Sequence, residues 1–214
     1  MTPFLLPELR EETVVLCPGA TLLRGFALAQ SDDLVAILPN LTAQSPFRQM
    51  VTKGGHLMSV AMTNCGALGW VSDRKGYRYA ACDPAHGRPW PALPDLFRDL
   101  AQGAANDAGF PGFSPDVCLI NRYEPGTRLA LHQDRDERDF TAPIVSVSLG
   151  APAIFLFGGR ERSEKPRRLK LFHGDVVVWG GQARLNFHGI LPLKPDQSTI
   201  LGPQRINLTF RKAG

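Results

Sequence analysis

From position 118 onward the chain divides into short stretches of β-branched, aromatic and aliphatic residues, each closed by turn residues. The candidate strands are 118–124, 128–134, 144–149, 153–157, 168–172, 176–179 and 205–211. Pro125-Gly126, Gly158-Gly159, Gly174-Asp175 and Gly180-Gly181 supply the breaks. Seven short strands at close spacing predict a jelly roll or related barrel. The 21 glycines and 18 prolines favour a turn-rich β fold over a helical bundle.

Two helices are expected outside that sheet core. Ser31-Asp32-Asp33 reads as an N-cap with acidic residues in the first turn, ahead of Leu34, Val35, Ile37 and Leu38. Pro39 should end or kink this helix. A second helix is expected over 94–108, with Pro94 at its start, Leu96, Phe97 and Leu100 on one face, and Gly109 just beyond its end. An earlier strand pair should include 58–64 and a segment near 77–81, whereas the first thirty residues show little periodicity. A length of 214 residues fits one compact domain, and a 43% hydrophobic share can build its core.

The net charge of +4 is mildly basic, compatible with a nucleic-acid partner without requiring one. Six basic residues (Arg160, Arg162, Lys165, Arg167, Arg168, Lys170) crowd one expected hairpin tip beside Glu161 and Glu164. Such a tip can touch phosphates, or serve as a solvated loop. Cys17, Cys65, Cys82 and Cys118 form no C-x-x-C pair, which argues against a structural zinc site or a disulfide framework. There is neither a signal-peptide pattern nor an apolar run of transmembrane length. The expectation is a cytoplasmic, monomeric protein with no membrane association.

The chemistry-bearing residues are few. His132 and Asp134 flank Gln133, so one strand end can point both the same way, and His188 follows 56 positions later. Two histidines and one carboxylate are the ligand set that leaves open positions on a non-haem iron(II). A lone His-x-Asp occurs often by chance, and either histidine alone reads as an ordinary one. The last strand adds to the case. Ile206, Leu208 and Phe210 alternate with Arg205, Asn207, Thr209 and Arg211. The polar set faces either solvent or the barrel interior; inside, two guanidiniums could hold a dicarboxylate. His173, in a turn entering an apolar strand, reads as structural, and His56 and His86 read as loop residues.

These residues also carry a resemblance. His132-Gln133-Asp134, His188, and Arg205-Ile206-Asn207-Leu208-Thr209-Phe210-Arg211 resemble the AlkB family of iron(II)- and 2-oxoglutarate-dependent dealkylating dioxygenases, bacterial branch. So do Ser45-Pro46-Phe47-Arg48-Gln49-Met50, Asn121-Arg122-Tyr123, and the runs at 58–66, 143–150 and 174–181. The likeness covers roughly 45–214 and is loose over the first forty residues.

The resemblance implies an α+β fold: a double-stranded β-helix (jelly-roll) core with N-terminal helices and a nucleotide-recognition lid. It divides the chain into an extension over 1–44, lid and supporting helix over 45–117, and oxygenase core over 118–214. It makes His132, Asp134 and His188 the iron ligands. Arg205 and Arg211 become the 2-oxoglutarate clamps, assisted by Asn121, Tyr123 and Asn207. Thr52, Met62, Trp70, Tyr77, Asp136 and Arg162 become the substrate-binding set. Trp70 on its own residues reads as core packing, and Asp136 as one charge in an acidic cluster.

The implied reaction is oxidative demethylation of 1-methyladenine and 3-methylcytosine in single-stranded DNA, extending to double-stranded DNA or RNA. Fe(II), 2-oxoglutarate and O2 are consumed or used, and formaldehyde, succinate and CO2 released. Other readings remain open on the residues: a 2-oxoglutarate dioxygenase acting on protein, tRNA or a small molecule, a cupin-like isomerase, and a non-catalytic nucleic-acid binder.

Overall fold

A computed structural model describes residues 12–196 and 199–214; residues 1–11, the start of the expected N-terminal extension, lie outside the described residues. The elements run β1 (Thr13–Cys17), β2 (Ala20–Leu23), α1 (Ser31–Gln44), β3 (Arg48–Val51), β4 (Leu57–Gly66), β5 (Gly69–Asp73), β6 (Gly76–Ala80) and α2 (Asp95–Asp107). They continue with β7 (Val117–Tyr123), β8 (Leu129–His132), β9 (Ile144–Gly150), β10 (Ala153–Phe157), β11 (Arg167–Leu171), β12 (Val176–Trp179), β13 (His188–Ile190) and β14 (Arg205–Arg211).

Eight strands form a large sheet in the order β1-β2-β12-β9-β14-β7-β4-β3, and four form a smaller one in the order β11-β10-β13-β8. Their pairings are antiparallel. Two sheets with side chains meeting between them are the expected double-stranded β-helix, with two helices packed against it.

The large sheet separates two hydrophobic cores. On one face, Leu34, Leu38 and Leu41 of α1 and Phe97, Leu100 and Ala104 of α2 pack on Ile120, Val147, Val176, Ile206, Leu208 and Phe210. On the other, Met62, Leu119, Tyr123, Val177 and Trp179 meet Phe155, Phe157, Leu171 and Ile190 of the small sheet. The helices therefore determine which way β14 faces. Its apolar residues take the helix side, and Arg205, Asn207, Thr209 and Arg211 turn into the space between the sheets. Every residue of β14 is buried, which rules out the solvent-facing alternative.

Some expectations need correction. Helix α1 does not end at Pro39 but runs through it to Gln44. An interior proline forfeits one hydrogen bond and costs about 3 kcal/mol. Leu34, Leu38 and Leu41 are buried on both sides of it, and at about 1.5–3 kcal/mol each they outweigh that cost. Ser31 is no cap; its hydroxyl donates to Leu28 O at 2.9 Å, and Gln30 precedes the helix without a side-chain cap. The segments near 58–64 and 77–81 do not pair with each other. β4 pairs with β3 and β7, while β6 pairs with β5 in a separate two-stranded sheet. The short strands β1, β2, β3 and β5 lie outside the expected strands.

Candidate active site

Between the sheets lies an open cavity of about 690 Å³. His132 comes from the end of β8 and His188 from the start of β13, and these two strands pair so that the histidines stand opposite each other. Gly189 lets them meet. A Cβ there would lie 2.7 Å from Leu129 O, so a side chain would push β13 away from β8. Asp134 follows β8 by two residues. His132 Nε2 and His188 Nε2 each lie 3.7 Å from one of its carboxylate oxygens. The three donor atoms lie within 4.8 Å of one another.

The backbone sets the histidine tautomers. His132 Nδ1 faces Ala130 O at 2.8 Å and His188 Nδ1 faces Asn186 O at 3.1 Å. A ring nitrogen facing a carbonyl oxygen carries a proton, so in the neutral ring it is Nε2 that offers a lone pair on the Asp134 side. Burial, together with the neighbouring His132 ring, pushes His188 down to about 3 and keeps it neutral, the form that binds a metal. Burial alone would raise the Asp134 carboxyl. The Arg211 guanidinium, with the two histidines, instead holds it well below the usual carboxylate range. Arg211 donates to Asp134 Oδ2 from Nε at 2.9 Å and from Nη2 at 2.6 Å.

Further along β14, Arg205 is 1% exposed. Its Nη2 donates to Ser148 Oγ at 2.9 Å, and its guanidinium sits 5.0 Å from the Tyr123 ring centre. Asn207 donates to Ser146 Oγ at 2.8 Å and to Val147 O at 2.9 Å, and accepts from Asn121 at 3.3 Å. Arg205 Nε and Nη1, Arg211 Nη1 and Asn121 Oδ1 are buried without a protein hydrogen-bond partner. Buried polar atoms of this kind are costly unless something satisfies them. The guanidinium donors of Arg205 and Arg211 along one wall suit an anion, and the His-Asp-His cluster suits a divalent iron, so the residues fit both Fe(II) and 2-oxoglutarate.

At the cavity mouth, Trp70 and Tyr77 of the β5–β6 hairpin stack with ring centres 5.6 Å apart, and Trp70 Nε1 donates to Asp136 Oδ2 at 2.7 Å. Thr52 and Met62 line the same cavity. Arg162 is set apart from these: it is exposed on the β10–β11 hairpin, over the Phe187 ring at 5.7 Å, and does not line the cavity. Several residues at or behind the cavity wall escape the sequence reading. Ser146 and Ser148 alternate along β9, and strand period two would have paired them with the polar face of β14. Glu137 and Arg184, both buried, gave no sequence signal. His173 has the structural role expected of it, accepting from Gly150 N at 2.9 Å through Nδ1.

This fold and site have known counterparts. Residues 19–211 match the 2OG-Fe(II) oxygenase superfamily. The chain belongs to that superfamily and is an Fe(II)- and 2-oxoglutarate-dependent dioxygenase that uses O2. Within it the chain is a member of the AlkB family: it is 57% identical to the alpha-ketoglutarate-dependent dioxygenase AlkB of Escherichia coli over 93% of this chain and 92% of that protein. The AlkB homolog of Caulobacter vibrioides is 47% identical over 79% of this chain and 76% of its own length. The solved structure of OsALKBH1 agrees with a TM-score of 0.80 at 30% identity, covering 94% of this chain and 100% of that one.

Proposed function

We propose that the chain repairs DNA by oxidative demethylation of bases alkylated on a ring nitrogen, 1-methyladenine and 3-methylcytosine, in single-stranded DNA, with double-stranded DNA and RNA as further substrates. The observation that carries this reading is a single cavity joining three features. His132, Asp134 and His188 cluster within it, Arg205 and Arg211 line its wall, and the Trp70–Tyr77 stack stands at its mouth.

His132, Asp134 and His188 would hold the iron. Arg205 would take the distant carboxylate of 2-oxoglutarate, supported by Tyr123, Asn121 and Asn207, and Arg211 would steady the near end. When bound, iron(II) with 2-oxoglutarate and O2 supplies the oxidation, yielding succinate, CO2 and a hydroxylated methyl group that leaves as formaldehyde. The protein's own part is orientation and exclusion of water. Bases methylated on the pairing edge are often cationic, so the Trp70 face and the Asp136 carboxylate both favour them. The methylated edge also pairs badly, which lowers the cost of flipping the base into the cavity.

In this reading β5–β6, with the outer ends of β3 and β4, is the nucleotide-recognition lid. The exposed cations at 160–170, Arg162 among them, contact the backbone or the surroundings of the base. Cys17, Cys65, Cys82 and Cys118 are free thiols, which supports a reducing, cytoplasmic setting. The cavity is complete within one chain, which supports a monomer.

The test is direct. The protein is incubated with iron(II), 2-oxoglutarate, O2 and a single-stranded oligonucleotide carrying one 1-methyladenine, and the oligonucleotide is weighed. Loss of one methylene, dependent on 2-oxoglutarate and abolished in folded Asp134→Ala, is the expected result. Succinate without any change in the oligonucleotide would assign the oxidation to a protein, tRNA or small-molecule substrate instead.

A further inference from the structure

The short segment Asp134–Glu137 is touched from three sides. Asp134 belongs to the His-Asp-His cluster. Asp136 receives the Trp70 indole. Glu137 is buried, and its Oε1 accepts the Tyr79 hydroxyl at 2.7 Å while lying 3.2 Å from Arg211 Nε. Its Oε2 lies 3.1 Å from Arg184 Nη2. Arg211 in turn grips Asp134. Tyr79 is directly across from Trp70 in the β5–β6 hairpin, so both side chains leave the same face of that hairpin.

We propose that Tyr79 is a positioning residue: it ties the β5–β6 hairpin to the metal-ligating carboxylate through Glu137 and Arg211, so that an ordered hairpin and a correctly held Asp134 go together. This rests on the reading of Asp134 as an iron ligand.

The physical reason lies in how Arg211 is shared. Its Nε stands between Asp134 Oδ2 and Glu137 Oε1. The Tyr79 hydroxyl satisfies part of Glu137 Oε1 and so limits how strongly that carboxylate draws Arg211 to itself. In a buried site such charged hydrogen bonds are strong and respond together. Removing the phenol hydroxyl leaves Glu137 Oε1 to Arg211 alone. Arg211 then shifts toward Glu137 and loosens its hold on Asp134. Base recognition and metal binding become separable, which in the intact protein they are not.

Cobalt(II) serves as the probe for the metal site, titrated with 2-oxoglutarate present and DNA absent, and followed by visible absorption. Tyr79→Phe keeps the ring and is expected to weaken cobalt binding by about fivefold, the loss of roughly one hydrogen bond. Glu137→Gln removes the carboxylate that competes for Arg211, so it is expected to bind cobalt at least as tightly as the parent. The double variant should match Glu137→Gln alone, because both act along one path. Ser72→Ala removes a different tie of the same hairpin, the 2.7 Å bond from Ser72 Oγ to Val51 O, and should bind cobalt as the parent does. With iron and methylated DNA, Tyr79→Phe should form more succinate per base repaired.

Parent-like cobalt affinity and coupling in Tyr79→Phe would overturn the proposal while leaving the iron site intact. So would additive effects of the two substitutions. A parent protein that takes up no cobalt, or an Asp134→Ala variant that binds it equally well, would overturn the metal assignment and this proposal with it.

Discussion

Arg205 carries a buried charge with little beside it to compensate. It is almost fully buried and has one hydroxyl and one aromatic face for company. Burial lowers its pKa, and the neighbouring Tyr123 opposes that only in part. A guanidinium in such a place costs several kcal/mol unless an anion arrives. Arg211 is the contrast: burial disfavours its charge too, but the carboxylates of Asp134 and Glu137 raise its pKa above the ordinary arginine value. This difference makes opposite readouts available from one substitution. Arg205→Met should leave the ligand-free fold as stable or stabilise it by about 1–4 kcal/mol, the range for replacing buried ionic groups by packed apolar ones. The same variant should lose the rise in melting temperature that 2-oxoglutarate gives the parent through binding linkage. Thermal melts with and without 2-oxoglutarate check both. A variant that melts lower than the parent yet still responds to 2-oxoglutarate would show that Arg205 is structural. The alternation of polar and apolar residues along β14 made these side chains legible in the sequence. Which face was inside was not, because that depends on α1 and α2 covering the apolar side.

At the scale of elements, tertiary packing overrode local signals twice. Pro39 reads as a stop, but the buried leucines on both sides carry α1 past it. Pro39→Ala should therefore stabilise the protein by up to about 3 kcal/mol, offset somewhat by the greater freedom of the unfolded chain, and raise the denaturant midpoint without changing the slope of the transition. Strand β13 has three residues, too short for a periodic signal, and its pairing with β8 shifts register between His188 and Ile190. Its position came from the histidine, not from any pattern. The turn between β11 and β12 carries a pH-dependent contact. His173 Nδ1 accepts from Gly150 N, which requires the neutral ring, and burial lowers its pKa while Asp32 partly opposes this. The unfolded chain takes up that proton at about pH 6.5, where the folded protein does not. Stability from this group is thus intact above about pH 6.5 and declines as pH falls from there toward the lower folded value. His173→Asn supplies an amide oxygen as acceptor without a titrating ring. Urea midpoints from pH 7.5 down to 5 should fall less steeply for it than for the parent; an equal slope would mean that His173 does not contribute.

The whole molecule sets a basic hairpin beside the His-Asp-His cluster. Gly158 N donates to Phe187 O and Phe187 N to Gly159 O, both at 2.8 Å, which docks the base of the β10–β11 hairpin against the approach to His188. Gln133, between two of the cluster residues, donates to Leu185 O and reaches Arg160 O at 3.5 Å. The hairpin tip is therefore held near the cavity although Arg162 is not part of its wall. Its acids are partly withdrawn, since Glu164 Oε1 accepts Glu161 N at 2.8 Å and turns back onto the loop. The charge run was visible in the sequence, but its place beside the cavity was not, because that depends on contacts between residues far apart in the chain. Arg160, Lys165 and Arg168 are exposed and available to phosphates. Each phosphate contact on single-stranded nucleic acid contributes about 0.7 to the slope of log affinity against log salt. Changing these three residues to Gln should lower that slope by up to about 2 and raise KM for a methylated oligonucleotide most at low salt. The maximal rate at saturating oligonucleotide should stay unchanged, because none of the three reaches the metal cluster. A solvated hairpin that never meets the backbone would leave the slope as it is. Demethylation measured between low and physiological salt separates the two, and it does so for DNA and RNA oligonucleotides alike, since the contact is to the backbone charge both share.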